Sequence, residues 1–219
     1  MMPVAGTVLL LLAQMQPLII PGERLTYDVS SSRFGDMGQA VFSVTELDNG
    51  NVQLSFEFDA RVLLFRASDR TTSELDYANL RTVRYRKRER SPLGGRDEQV
   101  VIDRVARTWT EDGRVHPLAS ADPLDELSMI YLIRGLDLGN AEHRIVMRHF
   151  DEARNPIHLR ATAAEHADII EMRVPDPRQD HGESVLRFHI SRDPARVPLR
   201  IESTMPVAGR VTMTLVNRN

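Results

Sequence analysis

Apolar and polar positions alternate with a period of two along most of the chain, which predicts half-buried antiparallel strands. In residues 51–60, every second side chain from Val52 to Phe58 is apolar, and the side chains between them are polar or charged. The same alternation recurs in residues 23–30, 186–191 and 210–216. Strands of this kind bury one face and expose the other.

Short turn sequences separate these runs. Asn49-Gly50 and Asp112-Gly113 predict hairpins, because a type I′ turn needs positive φ at both central residues. Residues 91–97 and 191–198 are rich in turn-forming residues and predict further connections. The pattern predicts about ten to twelve short strands, arranged as a sandwich, a barrel or a strongly curved sheet.

Residues 122–134 interrupt the strand pattern and predict a short helix. Asp122 is expected to be the N-cap, and Pro123 fits the first helical position, where its missing N–H costs nothing. Arg134 lies in the last turn, and Gly135 can end the helix. The helix would expose its charged positions and bury an apolar stripe that includes Leu124, Leu127, Ile130 and Tyr131.

The carboxylates at the start of this helix have two interpretations. Asp122, Asp125 and Glu126 could form a catalytic site, or they could cap the helix and interact with its dipole. Capping explains all three residues without a further assumption. The helix is therefore predicted to be a lid or plug on the sheet, although a carboxylate-dependent hydrolase remains an alternative.

Composition excludes several classes of function. The 219-residue chain has a formal net charge of -3 and 5% aromatic residues, which argues against a nucleic-acid partner. The absence of cysteine excludes disulfides, thiol nucleophiles and a lipoprotein anchor. No H-E-x-x-H, G-x-S-x-G or phosphate-binding glycine loop occurs, so we expect no metal and no cofactor.

Residues 1–20 are interpreted as an atypical secretory signal, followed by a single β domain over residues 21–219. Residues 3–13 are apolar or small, a length that fits a signal h-region and is too short to span a bilayer. No Lys or Arg precedes this run. We expect a periplasmic or otherwise exported location and no transmembrane span in the mature chain.

Residues 83–90 are strongly basic. In a strand, Arg84, Arg86, Arg88 and Arg90 would share one face and could bind an acidic partner. A solvated strand face, or an edge strand charged to prevent edge pairing, explains the same pattern.

Several segments resemble the DUF3108 family of bacterial exported or envelope proteins of unknown function. The resemblance rests on the segments PGERLTYDVS, SDRTTSELD, LRTVRYRKRER, VVID, DPLDELSMIYLIR and SRDPARVPLRIES, in that order, over roughly residues 21–216. It implies a β-rich fold like a half-open barrel, an envelope location, and a layout similar to periplasmic carriers of lipids and lipoproteins. It implies no catalytic residue.

These observations favour a non-enzymatic envelope protein. A curved antiparallel sheet with the helix as its lid would bind a lipophilic molecule or an apolar segment of a partner. The expected lining residues are Tyr27, Phe42, Leu54, Phe56, Phe58, Leu127 and Tyr131. An alternative is an envelope assembly factor that pairs through a sheet edge.

Overall fold

Fourteen strands form one continuous antiparallel sheet in the part of the chain that the structure describes. The structure is a computed structural model, and it describes residues 18–62, 65–91, 94–136, 142–176, 182–205 and 208–219. The predicted secretory signal, residues 1–20, therefore lies almost entirely outside the described residues.

The strands follow the chain in order, and the helix lies between the eighth and the ninth. They are β1 Arg24–Ser31, β2 Gly35–Glu46, β3 Val52–Val62, β4 Phe65–Asp76, β5 Arg81–Ser91, β6 Gly94–Asp103, β7 Thr108–Glu111, β8 Arg114–Pro117, β9 His143–Met147, β10 Ile157–Ala163, β11 Asp168–Pro175, β12 Glu183–Ile190, β13 Pro198–Met205 and β14 Gly209–Arg218, with helix α1 at Glu126–Arg134.

The sheet is an up-and-down arrangement that is not closed. Its order is β8-β7-β6-β5-β4-β3-β2-β1-β14-β13-β12-β11-β10-β9, so the first and last strands pair at its centre and β8 and β9 form the edges. Side chains from both halves of the sheet line one cleft, which shows that the sheet curves. The prediction of a mainly β, strongly curved antiparallel sheet with one short helix is confirmed.

The predicted number of strands was too low. β7 and β8 contain only four residues each, too few for a periodic pattern to stand out. β4 and β5 carry polar or charged side chains on both faces over much of their length, so alternating hydrophobicity marks them weakly.

The two predicted hairpin turns differ in geometry. Asp112 and Gly113 both have positive φ, as a type I′ turn requires. Gly50 has positive φ, whereas Asn49 does not. The connection runs from Leu47 to Asn51, whose backbone groups bond at 2.9 Å, so this hairpin has a longer loop than a two-residue turn.

Helix α1 begins later than its sequence predicts, because strand-like hydrogen bonds occupy the preceding backbone. Pro123 O accepts from Thr82 N at 2.9 Å, and Leu124 O accepts from Phe150 N at 3.1 Å. The predicted N-cap was therefore wrong: Asp122 instead pairs with Arg81 at 2.6 Å. The N-cap is Asp125, which accepts from the backbone N–H groups of Leu127 and Ser128.

The N-terminus of α1 is attached to β4 and β5 through a buried carboxylate. Asp125 Oδ2 accepts from Ser73 Oγ at 2.5 Å and from Thr82 Oγ1 at 2.6 Å, and Asp125 is completely buried. Ser128 Oγ accepts from Asp125 N at 3.0 Å, which completes a capping box.

The C-terminus of α1 is attached to the other half of the molecule through a buried ion pair. Arg134 donates to both carboxylate oxygens of Glu23, at 2.5 and 2.9 Å, and to the carbonyl oxygens of Ala195 and Arg196. Arg196 in turn donates to Arg134 O at 3.1 Å and to Leu136 O at 2.9 Å. Both ends of α1 are thus anchored, and the helix crosses the concave face as a plug.

The helix is nine residues long. Within the described ranges of the chain, no helix has the length and apolar character needed to cross a membrane.

Candidate functional site

A cleft of about 380 Å³ lies on the concave face of the sheet, beside α1. Its size falls within the range of small-molecule sites in proteins. Glu126, Leu127 and Ile130 of α1 form part of its lining, so the plug closes one end of the concave face and leaves the cleft beyond it.

One wall of the cleft is apolar. Phe42 and Phe56 pack with ring centroids 4.7 Å apart, and Tyr27 packs edge-on against Phe42 at 5.6 Å. Phe56 and Phe58 are only partly buried, although they pack against the core. The sheet residues of the apolar wall include Val29, Phe42, Phe56, Phe58, Val174, Leu186, Ile201, Met205, Val211 and Met213.

A second wall, formed by β4, β5 and β6 together with Arg154, is charged. Lys87 lies 3.3 Å from Asp69 and 3.9 Å from Glu89, and Arg96 pairs with Glu98. Burial raises the pKa of the Glu98 carboxyl, and Arg96 opposes this shift. The charges of this wall therefore form pairs of opposite sign, which are screened less in a cleft than on an open surface.

Glu126 links the helix to the charged wall. Its carboxylate pairs with Arg154 and lies 3.3 Å from His149 Nε2. Because His149 Nδ1 accepts from Asp151 N at 3.0 Å, Nε2–H is the group of the ring that donates to Glu126. Burial would raise the pKa of Glu126, but His149 and Arg154 outweigh burial and hold this pKa well below its usual value.

Glu126→Gln is expected to flatten the pH dependence of stability on the acid side. A lowered pKa in the folded state stabilises the protein above the ordinary glutamate pKa of about 4.3, and this stabilisation is lost as pH falls. The difference in urea midpoint between wild type and variant should therefore shrink from about pH 5 downward. A difference that stays constant down to pH 3 would contradict the assignment, and the exposed Glu46→Gln serves as control.

Four of the predicted ligand-binding residues, Phe42, Phe56, Phe58 and Leu127, line the cleft. Tyr27 and Tyr131 instead line a separate cavity of only about 10 Å³, next to Arg134. Leu54 is fully buried and lines neither space, so it is a core residue.

The charged wall was not predicted from the sequence. Its members Asp69, Lys87, Glu89, Arg96 and Arg154 are common surface residue types, and only the curvature of the sheet turns them inward. One feature of the sequence did indicate a charged inner face: β5 carries charged side chains on both of its faces between Arg84 and Arg90.

The four arginines Arg84, Arg86, Arg88 and Arg90 form an exposed stripe on the outer face of β5, as their alternation predicts. Arg84 lies 3.7 Å from Glu74, while Arg88 and Arg90 lie 3.1 and 3.6 Å from Asp97. β5 pairs with β4 on one side and β6 on the other, so it is not an edge strand. This stripe can contact a partner only through side chains, and edge pairing would have to use β8 or β9.

Asp69, Glu89 and Glu126 each have a cationic neighbour in the cleft, and the lowered pKa of Glu126 does not suit a general acid. Among the described residues, no group of three or more His, Asp or Glu side chains is arranged to hold a metal ion.

Comparison with solved structures relates this fold to another protein of unknown function. The crystal structure of a β-barrel-like protein of domain of unknown function DUF1849 from Brucella abortus matches with a TM-score of 0.58 and 10% identity. The match covers 91% of this chain and 98% of that chain, and at this identity it shows a shared fold. Comparison with curated proteins gave no significant match.

The family model for DUF3108, a protein family of unknown function, matches residues 26–216. This range includes every strand from β2 to β13, most of β1 and β14, and the whole of α1. The resemblance noted in the sequence is confirmed over most of the chain, which belongs to the DUF3108 family.

Proposed function

We propose that this chain is a non-enzymatic protein of the bacterial envelope that binds a lipophilic molecule in its cleft. The observation that carries the proposal is the apolar wall: Phe56, Phe58 and Met213 are only partly buried and line a space of about 380 Å³. A ligand that covers the apolar side chains of a cleft removes them from water, and this burial favours binding.

The anchored helix supports a fixed site rather than a moving lid. Asp125 attaches one end of α1 to β4 and β5, and Arg134 attaches the other end to Glu23. A ligand would therefore enter a largely preformed cleft, as is usual for small-molecule sites.

Native mass spectrometry of the protein, purified from the envelope fraction of its bacterial host, tests the proposal. We expect a reproducible additional mass in the lipid range, and the same compound in an organic extract of the sample. Protein that carries no such mass, and that also fails to bind added lipophilic probes, would contradict the proposal.

Charged substitutions in the apolar wall are expected to abolish this binding. Met213→Asp places a carboxylate in the cleft, whereas Val216→Asp places one at an exposed position of the same strand. Affinity for a fluorescent fatty-acid probe should fall at least about tenfold in Met213→Asp and in Phe56→Asp. Val216→Asp should bind as wild type does, and circular dichroism should show that all three variants fold.

If Met213→Asp and Phe56→Asp fold and retain full affinity, the apolar wall is not the binding surface. If both fail to fold, the milder Phe56→Ser and Met213→Ser test the same wall.

The envelope location rests on the predicted signal in residues 1–20. Its test is fractionation of cells that express the full chain with a C-terminal tag. Recovery in the periplasm with a shortened N-terminus supports export, and recovery of intact chain in the cytoplasm would overturn it.

The arginine stripe supports a second candidate function, binding of an acidic envelope partner. Three of the four exposed arginines lie within 3.7 Å of a carboxylate, Arg84 near Glu74 and both Arg88 and Arg90 near Asp97. Salt-sensitive capture of a partner that is lost in Arg86→Glu/Arg88→Glu would support this function. Capture that survives the charge reversal would contradict it.

A further inference from the structure

We propose that the cleft selects a single-chain amphiphile whose head group is zwitterionic, with its chain on the apolar wall and its head on the charged wall. This inference rests on the proposed function and adds the chemical class of the ligand. Three properties of the cleft carry it: its volume, the change from apolar to charged side chains across neighbouring strands, and the sign of its charges.

The volume limits the hydrocarbon part of the ligand. A space of about 380 Å³ holds roughly a dozen groups of the size of a water molecule, at about 30 Å³ each, and a methylene group is of similar size. One acyl or alkyl chain of medium length would occupy nearly all of this space, so part of a single-chain amphiphile projects from the cleft. A second chain on the same head group would have to lie outside it.

The strand register places apolar and charged side chains next to each other in continuous rows. In one row, Phe42 pairs with Phe56, Phe56 with Thr71, Thr71 with Lys87, and Lys87 with Glu98. Because neighbouring strands lie about 4.8 Å apart, the row changes from aromatic to charged within roughly 10 Å. An amphiphile that lies across the strands meets both environments.

The adjacent row repeats the change closer to the hairpin that joins β3 and β4. Ala40 pairs with Phe58, Phe58 with Asp69, Asp69 with Glu89, and Glu89 with Arg96. Both rows therefore present charge on β5 and β6, and the second row also presents it on β4. The head group would lie on these strands and the chain would lie against β2, β3 and β12–β14.

The signs of the charges select the head group. Among the described residues, the lining includes four acidic side chains and three basic ones, a formal excess of one negative charge: Asp69, Glu89, Glu126, Asp176, Lys87, Arg96 and Arg154. A purely anionic head would face this excess and would compete with carboxylates for the basic side chains. A zwitterionic head brings both signs, so its anionic group can approach Lys87 or Arg96 while its cationic group approaches Asp69 or Glu89.

A series of dodecyl amphiphiles that differ only in their heads tests this selection, with full-length protein and probe concentrations below micelle formation. The series is dodecylphosphocholine, laurate, dodecyltrimethylammonium and monolaurin, with didodecanoyl phosphocholine as the two-chain probe. We expect dodecylphosphocholine to bind at least about tenfold more tightly than laurate and than the two-chain probe. Isothermal titration calorimetry measures each affinity.

The outcomes separate this inference from the proposed function. If all four single-chain probes bind equally, the lipophilic site stands and head-group selection is overturned. Tighter binding of laurate or of dodecyltrimethylammonium overturns the zwitterionic assignment, and equal binding of the two-chain probe overturns the single-chain assignment. If no probe binds, the proposed function fails as well.

A pair of charge-matched variants locates the selection in the cleft. Asp69→Asn/Glu89→Gln removes two negative charges from the charged wall, and Glu57→Gln/Asp59→Asn removes two from the exposed outer face of β3. The ratio of dodecylphosphocholine to laurate affinity should fall at least about tenfold in the first variant and stay unchanged in the second. An unchanged ratio in a folded Asp69→Asn/Glu89→Gln protein would overturn the inference.

Discussion

Replacing Glu23 by glutamine is expected to lower the free energy of unfolding by about 3–5 kcal/mol. Glu23 is 3% exposed, and its carboxylate accepts from Arg134 at 2.5 and 2.9 Å. Arg134 is itself 1% exposed, so Glu23→Gln leaves a buried guanidinium without a carboxylate. Its remaining acceptors, the carbonyl oxygens of Ala195 and Arg196, cannot neutralise the charge. Urea unfolding at pH 7 measures the loss.

The matched control is Glu142→Gln, which removes an exposed carboxylate that pairs with Arg144 and Arg160. Exposed pairs contribute little because water and salt screen them, so this variant should change stability only slightly. Equal losses in the two variants would show that burial of the Glu23–Arg134 pair has no energetic consequence. The double variant Glu23→Leu/Arg134→Met should recover part of the loss, because it leaves no buried charge unpaired.

Asp125→Ala is expected to lower the free energy of unfolding by about 2–4 kcal/mol. Loss of an N-cap costs about 1 kcal/mol, and the variant also leaves Ser73 and Thr82, both fully buried, without their acceptor. The helix would lose its attachment to β4 and β5 as well as its cap. Chemical denaturation combined with hydrogen exchange of the α1 amides measures both effects.

Asp151→Ala provides the control for this second variant. Asp151 caps a short exposed 3-10 turn by accepting from Ala153 N at 3.0 Å, so its loss should cost no more than about 1 kcal/mol. Asp125→Asn should retain more stability than Asp125→Ala, since an amide oxygen can still accept from the helix. An Asp125→Ala loss as small as that of Asp151→Ala would show that the buried hydroxyl contacts do not stabilise the helix.

The three acidic residues near the start of α1 have different roles in the structure. Asp125 is the cap, and Asp122 forms an ion pair with Arg81 outside the helix. Glu126 lies in the first turn, but its carboxylate also lines the cleft and contacts Arg154. The interpretation of the helix as a structural element holds for its ends, while one of its first-turn carboxylates belongs to the candidate site.

The pattern of residues along the chain was sufficient to predict the class of fold and the presence of the helix. Alternation identified strands such as β1, whose apolar face is buried, because one-sided burial imposes a period of two on the sequence. The same alternation placed Phe56 and Phe58 on one face of β3, which is the concave face of the sheet. Their side chains point inward whatever the exact curvature of the sheet, because they share a face with the core.

The start of α1 and the charged wall could not be predicted in this way, because both depend on contacts between residues distant in the sequence. Asp122 and Asp125 are both good caps locally, and the choice between them follows from the hydrogen bonds of Thr82 and Phe150 to the preceding carbonyl groups. The charged side chains of Asp69, Lys87 and Glu89 are as compatible with a solvent-exposed strand face as with the lining of a cleft. The curvature of the sheet and the position of the helix make that face the lining of a cleft. Neither property produces a periodic pattern in the sequence.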